Sequence, residues 1–390
     1  MKNNKKKIIF VSQALWIGGI ETALVNLINK LDYNKYDVTC LITQNYIDMA
    51  ERLTKNCRLI VADRCSPVTF AKPYKFKKLY KILEEPQGAT RFRRLIWHIL
   101  NILFKALENH LYADYIKEQL KGERFDSAII YSDRVAEITV KAINAKKFLM
   151  FYHHGAMRKE YHDRYGYKKS EKIIAVSDNI AKKLKAYRKK YAKKIVTVNN
   201  IVDIDSIIDK SKEPIEEGLF SENTFNIVSC GRLAKEKGFD LAVEACKLLA
   251  ENSHTDINWI FVGDGPEREN IEKQIALYGL EDYIKLVGMK KNPYPYIARA
   301  DLYVQPSRVE AFGLAITEAM ILGVPVLSTQ TDGAKEIFKV KDNGLLCQIS
   351  GKDIFKGIQT LKNERPEYSD ASSVFEGKNV NVMEALEKMF

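Results

Sequence analysis

The 390-residue chain has six scattered cysteines and no long apolar run. The cysteines form no C-x-x-C pair and show no zinc-site spacing, which indicates reduced thiols rather than a disulfide framework. No stretch approaches the roughly 18 apolar residues that a membrane span requires. The start, MKNNKKKIIFVSQALW, resembles a signal peptide only superficially, because Ser12 and Gln13 break its apolar run and no cleavage site follows. We therefore expect a cytoplasmic protein that does not cross a membrane.

Charge is distributed unevenly along the chain, although the formal net charge is +12. Residues 1–200 contain 40 Lys and Arg against 19 Asp and Glu, a net charge of +21, whereas residues 201–390 carry −9. This asymmetry indicates that the N-terminal half faces an anionic partner, and a membrane surface, a nucleic acid and a polyanionic substrate are the candidates. The length and the 46% hydrophobic content favour two domains.

The clearest pattern is VQPSRVEAFGLAITEAMILGVPVLSTQTDGAKEIF, residues 304–338. Apolar residues at its start predict a short buried strand, and those at 312–321 predict a helix that begins at Phe312 or Gly313. Glu310 lies in the loop between the two elements. The sequence therefore places a carboxylate beside the positive end of a helix.

The start of this predicted helix is a candidate anion site. Free backbone N–H groups at a helix N-terminus bind anions such as a diphosphate. The two carboxylates of Glu310 and Glu318 suit the vicinal hydroxyls of a sugar or a ribose, because a carboxylate accepts two hydrogen bonds at once. Together these features predict a nucleotide-sugar site, and the alternative is that Glu310 is an unspecialised loop residue and Glu318 a solvated helix residue. The residues expected at the anion are Ala311, Phe312, Gly313 and Leu314.

A second candidate phosphate site lies near the start of the chain. A strand at 8–11 leads into the loop W-I-G-G-I-E and then a helix, and Gly18 and Gly19 allow the backbone to approach a phosphate because glycine has no Cβ. Further strands at 38–42 and 58–61 give the β-α-β-α order of an α/β domain.

Two adjacent histidines, His153 and His154, follow a predicted strand at 148–152. Ligands usually bind at this end of a parallel strand. We do not expect zinc, because adjacent histidines diverge in a strand and no third ligand is spaced nearby.

Two cations mark the turn G-R-L-A-K-E-K-G-F-D in the second half of the chain. Arg232 and Lys237 lie five positions apart, and the glycines beside them permit a tight loop, so both cations could bind one anion. As isolated residues they would be ordinary surface charges.

These patterns together resemble family GT4 of the retaining glycosyltransferases. E-A-F-G-L-A-I-T-E matches the E-x7-E signature of that family, and G-V-P-V-L and G-A-K-E-I follow in the family's order. The W-I-G-G-I-E loop is similar to its Gly-Gly-x-Glu loop, and G-R-L-A-K-E-K-G to its diphosphate clamp. Asp203 and Asp205 coincide with the family's Asn-x-x-Asp, so we do not interpret D-I-D as a metal site. The resemblance covers most of residues 8–350 but not 63–125, the part expected to contact the acceptor.

The resemblance implies an α/β protein of GT-B fold, with two Rossmann-like doubly wound domains that face each other across a cleft. Residues 1–205 would bind the acceptor and be completed by a C-terminal helix at 375–390, whereas residues 206–374 would bind the donor. The implied catalytic residues are His153 or His154, which would face the transferred sugar, together with Arg232, Lys237 and Glu310. The residues implied to bind the donor are Gly18, Gly19, Arg232, Lys237, Gly263, Met289, Glu310, Ala311, Phe312, Gly313, Leu314 and Glu318, with the nucleobase at Met289.

Two basic segments bear on the location of the protein in the cell. R-F-R-R-L-I-W-H-I-L-N-I-L-F-K-A-L, at 91–107, predicts an amphipathic helix that either lies on an anionic bilayer or packs against the first sheet. K-K-L-K-A-Y-R-K-K-Y-A-K-K, at 182–194, predicts a basic helix that is either solvated or directed at an anionic surface. We expect peripheral association with the cytoplasmic face of the membrane.

The function that we expect is transfer of a hexose or hexosamine from a nucleoside diphosphate sugar, with UDP as the nucleotide, to a saccharide acceptor with retention. The acceptor is expected to be lipid-linked, in synthesis of a cell-surface or capsular polysaccharide or a teichoic acid type glycan, without a metal or other cofactor. The alternatives are a glycosidase, a UDP-sugar-processing enzyme of the same fold that is not a transferase, and a nucleic-acid-binding protein. No nucleic-acid partner is expected, because the basic half has no recognisable nucleic-acid-binding motif.

Overall fold

The structure is a computed structural model that describes residues 5–63, 109–155, 157, 164–252, 256–340, 343–364, 368 and 370–390, and also positions 99 and 107. Two parallel β-sheets, with a hydrophobic cluster on each face, organise these residues. The N-terminal unit contains the first sheet, and the C-terminal unit contains the second.

The first sheet has seven strands. They are β1 (Lys6–Ser12), β2 (Tyr36–Ile42), β3 (Arg58–Val61), β4 (Arg124–Ile130), β5 (Asn144–Tyr152), β6 (Lys172–Ala175) and β7 (Ile195–Thr197). Their order, β3-β2-β1-β4-β5-β6-β7, shows that the chain winds outward from β1 in one direction and then from β4 in the other, as in doubly wound folds. Helices of this unit span Gly19–Asn29, Ala136–Ala142, Arg164–Lys169 and Asp178–Tyr187, and residues 109–119 are also helical.

The second sheet has six strands in the order β10-β9-β8-β11-β12-β13. They are β8 (Phe225–Cys230), β9 (Ile257–Val262), β10 (Ile284–Gly288), β11 (Leu302–Gln305), β12 (Val326–Thr329) and β13 (Gly344–Cys347). The helices that follow β7 are Ile204–Ser211, Phe239–Glu251, Arg268–Tyr278, Tyr294–Ala298, Leu314–Ile321, Asp332–Phe338, Gly351–Glu364 and Ser372–Glu387.

Both sheets are covered on both faces, which explains why their strands read as continuous apolar runs. In β1, Ile8 packs into the cluster on one face and Ile9 into the cluster on the other. In β9, Trp259 and Ile260 are divided in the same way. Successive side chains of a strand point to opposite faces, so each strand contributes to two cores.

The prediction of two doubly wound α/β units is confirmed, but two segments differ from their predicted structure. The helix expected from Phe312 begins at Leu314, because Gly313 has a φ of 91° and caps the helix. The helix Ile204–Ser211 spans the predicted domain boundary at residue 205, and it buries Ile207 in the core of the second sheet.

The basic segment 182–194 is not one continuous helix. Its helix ends at Tyr187, and Arg188, with φ −113° and ψ 52°, leads into a 3₁₀ turn over Lys189–Lys194. The amine of Lys194 donates hydrogen bonds to the carbonyls of Lys168 and Ser170, at 3.0 and 2.7 Å. The amphipathic helix predicted at 91–107 lies outside the described residues except at positions 99 and 107.

The helix Ser372–Glu387 runs from one unit to the other. Phe375, in its first turn, is buried in the core of the C-terminal unit, whereas Leu386 belongs to the core of the N-terminal unit. Phe390 follows the helix and packs edge-on against Phe10 of β1 and Tyr36 of β2. Its carbonyl accepts a hydrogen bond from Ser127 Oγ at 3.3 Å. The N-terminal unit is thus completed by residues from the C-terminal end of the described chain.

A second connection joins the two units through the helices Asp178–Tyr187 and Asp332–Phe338. The carboxylate of Glu336 accepts hydrogen bonds from the backbone N–H groups of Asp178 and Asn179, at 2.7 and 3.2 Å. Lys183 forms a salt bridge with Asp332. A side chain of the C-terminal unit therefore caps a helix of the N-terminal unit, and we refer to these five residues as the interdomain clasp.

Candidate functional site

The two units meet at the carboxyl ends of their strands, where sheets of this kind bind ligands. A Cβ on Gly19 would lie 3.8 Å from Leu314 Cδ1, so the first glycine loop faces the start of the helix Leu314–Ile321. A Cβ on Gly155, directly after the two histidines, would lie 3.3 Å from the backbone nitrogen of Ala311. The structure therefore brings together the glycine loop, the residue that follows the two histidines and the start of this helix, and we call this place the interdomain site.

Glu310 lies in the interdomain site and is held by three donors. Its side chain is 11% exposed, and Oε1 accepts hydrogen bonds from Lys237 Nζ at 2.6 Å, Ser307 Oγ at 2.8 Å and Gln305 Nε2 at 3.3 Å. All three reach the same oxygen, so within the described part of the chain Oε2 is left to accept from a ligand. The side chain of Glu310 is therefore held in place by its neighbours, and its role at a ligand stays a prediction.

The predicted pair of cations is divided in the structure. Lys237 binds Glu310, and its Cδ lies 3.9 Å from the position of a Cβ on Gly231. The neighbouring Arg232 is exposed, and its guanidinium forms no ion pair with the described residues. The two cations therefore share one loop but contact no common group, and Arg232 is the one whose charge is uncompensated.

Arg308, which the sequence did not single out, joins two loops. One is the loop at 231–238, which carries Arg232 and Lys237 and which we call the cation loop, and the other is the loop at 306–313, which we call the Glu310 loop. Its guanidinium donates two hydrogen bonds of 2.6 Å to the carboxylate of Asp240 and one of 3.0 Å to the carbonyl of Lys235. The backbone N–H of Arg308 also donates to the carbonyl of Glu236, at 2.8 Å. Such a two-point contact is more rigid than a single ion pair, and it fixes Lys237 relative to Glu310.

The start of the helix Leu314–Ile321 presents backbone groups rather than side chains. The N–H groups of Ile316 and Thr317 return to the carbonyl of Gly313, so the N–H groups ahead of them are available to an outside acceptor. The side chains of Ala311 and Phe312 pack against the core of the N-terminal unit. Any anion bound here would therefore contact the backbone of these residues.

Glu318 is buried on the same helix rather than solvated. It is 8% exposed and accepts a hydrogen bond from the hydroxyl of Tyr294 at 3.3 Å. Burial raises the pKa of Glu318 to about 7, and the hydrogen bond from Tyr294 and the charge of Arg52 oppose that rise. The alternative of a solvated helix residue is wrong, and Arg52 brings a positive charge from the N-terminal unit toward this carboxylate.

The two histidines occupy opposite faces of the first sheet. His153 stacks on Phe151 with centroids 5.6 Å apart, its Nε2 is buried without a hydrogen-bond partner among the described residues, and burial lowers its pKa to about 3. His154 contacts Asp133, with 3.0 Å between Nε2 and Oδ1, and the Asp133 side chain is only 2% exposed. His153 is therefore a neutral imidazole with an uncommitted nitrogen, whereas His154 is oriented by a buried carboxylate that sequence reasoning did not identify.

The glycine loop carries a further buried carboxylate, Glu21. A Cβ on Gly18 would lie 2.6 Å from Glu21 Oε2 and 3.4 Å from Trp16 Cδ1, so only a glycine fits beneath these two side chains. Burial raises the pKa of Glu21 to about 7, although a hydrogen bond from Trp16 opposes that rise.

The remaining predicted donor contacts lie at the carboxyl ends of β9 and β10. Gly263 follows β9 with a φ of 154°, and a Cβ there would collide with the carbonyl of Gly231, so this glycine lets the two loops approach each other. Met289 follows β10 and is 58% exposed.

The described residues contain neither a cluster of potential metal ligands nor a membrane-spanning helix. No group of three or more potential metal ligands occurs there, and Asp203 and Asp205 both lie within 4 Å of Lys30 Nζ, at 3.8 and 3.7 Å. None of the helices in the described ranges is long and apolar enough to cross a membrane.

Comparison with known proteins identifies the C-terminal unit. Residues 210–373 match the family of glycosyl transferases group 1. The chain is 35% identical over 122 residues to the 2-deoxystreptamine N-acetyl-D-glucosaminyltransferase of Niallia circulans, covering 31% of each protein. It is 29% identical over 171 residues to the N-acetylgalactosamine-N,N'-diacetylbacillosaminyl-diphospho-undecaprenol 4-alpha-N-acetylgalactosaminyltransferase of Campylobacter jejuni, covering 43% of this chain and 44% of the relative. The chain thus spans less than half the length of these two relatives.

The whole described fold has a structural counterpart. The Anabaena protein HepE in complex with UDP and glucose superposes with a TM-score of 0.69 at 17% identity, over 98% of this chain and 99% of that one. At this identity the likeness concerns the fold alone, and it shows the GT-B arrangement of two Rossmann-like units.

Proposed function

We propose that this chain, whose residues 210–373 form a group 1 glycosyl transferase domain, transfers a hexose or hexosamine from a UDP-sugar to a saccharide hydroxyl with retention at the anomeric carbon. The observation that carries the proposal is the position of the Glu310 side chain between the two units. Its carboxylate is fixed by Lys237 on one side, and Gly155, which directly follows the strand-end histidines, approaches the same loop from the other unit. The names of the two relatives, both N-acetylhexosaminyl transferases, support a sugar of this class.

The donor diphosphate is proposed to lie between the helix start at Leu314 and the cation loop. Arg232 has no competing carboxylate among the described residues, so it can bind the departing diphosphate directly. The free N–H groups of the helix and the backbone at Gly19 add positive potential where charge develops on the leaving group. Lys237 would serve both Glu310 and the phosphate, since an ammonium has three donors.

The sugar is proposed to lie between Glu310 and the histidines. Oε2 of Glu310 would accept hydrogen bonds from its hydroxyls, and Glu318 would do the same for the ribose. The residues of the site include no evident nucleophile, so we propose that the acceptor hydroxyl attacks from the face of the departing diphosphate. The C–O bond to the diphosphate breaks as the new C–O bond forms, and a phosphate oxygen takes the hydroxyl proton.

The rival functions fit the site less well. A glycosidase needs a pair of carboxyl groups that flank the scissile bond as acid and base or nucleophile. Here Glu318 is buried beneath Tyr294, and Glu310 is paired with Lys237, so neither carboxyl is placed as a free acid. Hydrolysis of nitrophenyl glycosides without a nucleotide would favour the glycosidase, and a salt-sensitive shift of an oligonucleotide would favour nucleic-acid binding.

We also propose that the acceptor is lipid-linked and that the protein associates peripherally with an anionic membrane. The support is the +21 charge of residues 1–200 and the exposed lysines of the segment 182–194. Anionic headgroups attract basic residues near the surface with about 1 kcal/mol each. The diphospho-undecaprenol in the name of the Campylobacter jejuni relative supports an acceptor of this kind.

A screen of nucleotide-sugars by thermal stabilisation tests the proposed function. A donor that binds the folded state at 100 times its Kd stabilises it by about 2.7 kcal/mol, which raises the melting temperature by a few degrees. We expect UDP-hexoses or UDP-N-acetylhexosamines to give the largest rise and Glu310→Gln to reduce it. Equal melting temperatures with every nucleotide-sugar would contradict the proposal.

A further inference from the structure

Two exposed aromatic side chains lie together beside the interdomain site. Trp16, in the loop after β1, is 38% exposed, and Tyr46, in the loop after β2, is 56% exposed. Their ring centroids are 5.8 Å apart with an interplanar angle of 50°. The exposed side chain of Ile47 adjoins Tyr46 in the chain. Large apolar groups in water at one edge of a sheet form a surface with no partner in the described chain.

Backbone hydrogen bonds hold the two loops in register. The N–H of Leu15 donates to the carbonyl of Tyr46 at 2.7 Å, and the N–H of Met49 donates to the carbonyl of Leu15 at 2.9 Å. The side chains of Leu15 and Met49 are buried in the core beneath. The exposed rings are therefore carried by a fixed support rather than by a loose loop.

The indole of Trp16 is also fixed from the side of the glycine loop. A Cβ on Gly18 would lie 3.5 Å from Trp16 Nε1 and 2.6 Å from Glu21 Oε2, so the indole N–H and the buried carboxylate meet above that glycine. The next residue, Gly19, faces Leu314 of the C-terminal unit. The ring pair thus begins directly beside the place where the diphosphate and the sugar are proposed to bind.

We propose that Trp16 and Tyr46 form an acceptor platform on which a sugar ring of the saccharide acceptor stacks. This inference rests on the proposed function and assigns the acceptor side of the same site. A pyranose presents one face of C–H groups to a flat ring and hydroxyls at its edge, which suits amphipathic aromatic side chains that stay partly in water. Two rings are too small a surface for a stable protein partner, which would bury about 800 Å² on each side.

Tryptophan fluorescence tests the platform without requiring transfer. Of the three tryptophans, Trp259 is fully buried, and Trp97→Phe removes the third, so changes in emission on adding a ligand then report Trp16. The probes are the methyl glycosides of glucose, galactose, N-acetylglucosamine and N-acetylgalactosamine, and decanol as an aliphatic probe without a sugar ring. We expect at least one glycoside to change the emission saturably and Tyr46→Ala to weaken its binding about tenfold.

The control is Tyr278→Ala, which removes a comparably exposed tyrosine from the C-terminal unit and should leave glycoside binding as it is. In transfer assays Trp16→Ala, but not Tyr278→Ala, should raise the KM for the acceptor about tenfold, with a far smaller change in the KM for the donor. The platform is wrong if decanol alone changes the emission, if no glycoside does so, or if Tyr46→Ala binds glycosides like the control. If the unmodified protein binds no nucleotide-sugar, the proposed function is refuted instead. The two outcomes are distinguishable, because the fluorescence measurement does not require a donor.

Discussion

Glu336→Gln should shift the equilibrium between closed and open arrangements of the two units. The Glu336 carboxylate accepts the N–H groups of Asp178 and Asn179 at the positive end of a helix, and glutamine keeps one acceptor but loses the charge. Losing one hydrogen bond at a half-exposed position, and the interaction with the helix dipole, costs about 1.5 kcal/mol. This corresponds to about a tenfold change in the ratio of closed to open molecules.

Small-angle scattering and steady-state kinetics measure this change separately. We expect Glu336→Gln to have a larger radius of gyration than the unmodified protein and a kcat/KM that is lower by up to about tenfold, since the proposed transfer needs both units at the interdomain site. Glu281→Gln is the matched control, because it removes the same charge from an exposed position outside the interdomain clasp. If both variants scatter and react alike, Glu336 does not hold the units together.

Four further outcomes are expected. Arg232→Ala or Lys237→Ala should lower turnover by a factor on the order of 100, and wild-type rates would exclude the proposed diphosphate site. Transfer should persist in EDTA because these cations and a helix end are proposed to bind the diphosphate without a metal, and a loss restored by Mg²⁺ or Mn²⁺ would refute this. The free energy of unfolding should fall as the pH rises from about 4.5 to about 7, because burial raises the pKa values of Glu21 and Glu318 to about 7 from an ordinary 4.5. Chemical denaturation should show a flatter dependence of this free energy on pH when both glutamates are changed to glutamine. Binding to anionic vesicles should weaken with salt and when the exposed lysines outside the interdomain clasp, Lys182, Lys185, Lys189, Lys190 and Lys193, are neutralised. Equal binding to neutral vesicles would contradict this expectation.

Patterns that depend on neighbours in the chain were predicted well from the sequence. The strand Arg58–Val61 has its predicted bounds, because its short apolar run Leu59–Val61 is preceded by a charged residue that marks its start. The E-x7-E pattern located Glu310 just ahead of the helix Leu314–Ile321, because the apolar residues that form this helix follow Glu310 directly in the chain. The helix over 182–194 was predicted too long, because the pattern of charges does not reveal that Arg188 leaves the helical conformation.

Contacts between distant residues were not predictable in this way. Lys237 and Glu310 are 73 positions apart and meet only because β8 and β11 are neighbours in the sheet. Asp133, which orients His154, is a single aspartate in an ordinary turn, and nothing in its local sequence distinguishes it. The cation loop and the Glu310 loop were recognisable from sequence motifs. The interdomain clasp was not, because it joins residues of two separate helices and neither helix contains a motif that indicates the contact.

The crossing of the helix Ser372–Glu387 has a consequence for how the chain folds during synthesis. Phe10 of β1 leaves the ribosome long before its aromatic partner Phe390, which lies 380 positions later in the chain. At about 5 to 20 residues per second, the ribosome needs about 10 to 40 seconds to translate from residue 205 to residue 390. During that time the N-terminal unit has an open apolar site on the face of β1 and β2, to which chaperones can bind. The C-terminal unit has its own six strands in one uninterrupted stretch, so it can reach a closed core first although it is synthesised second.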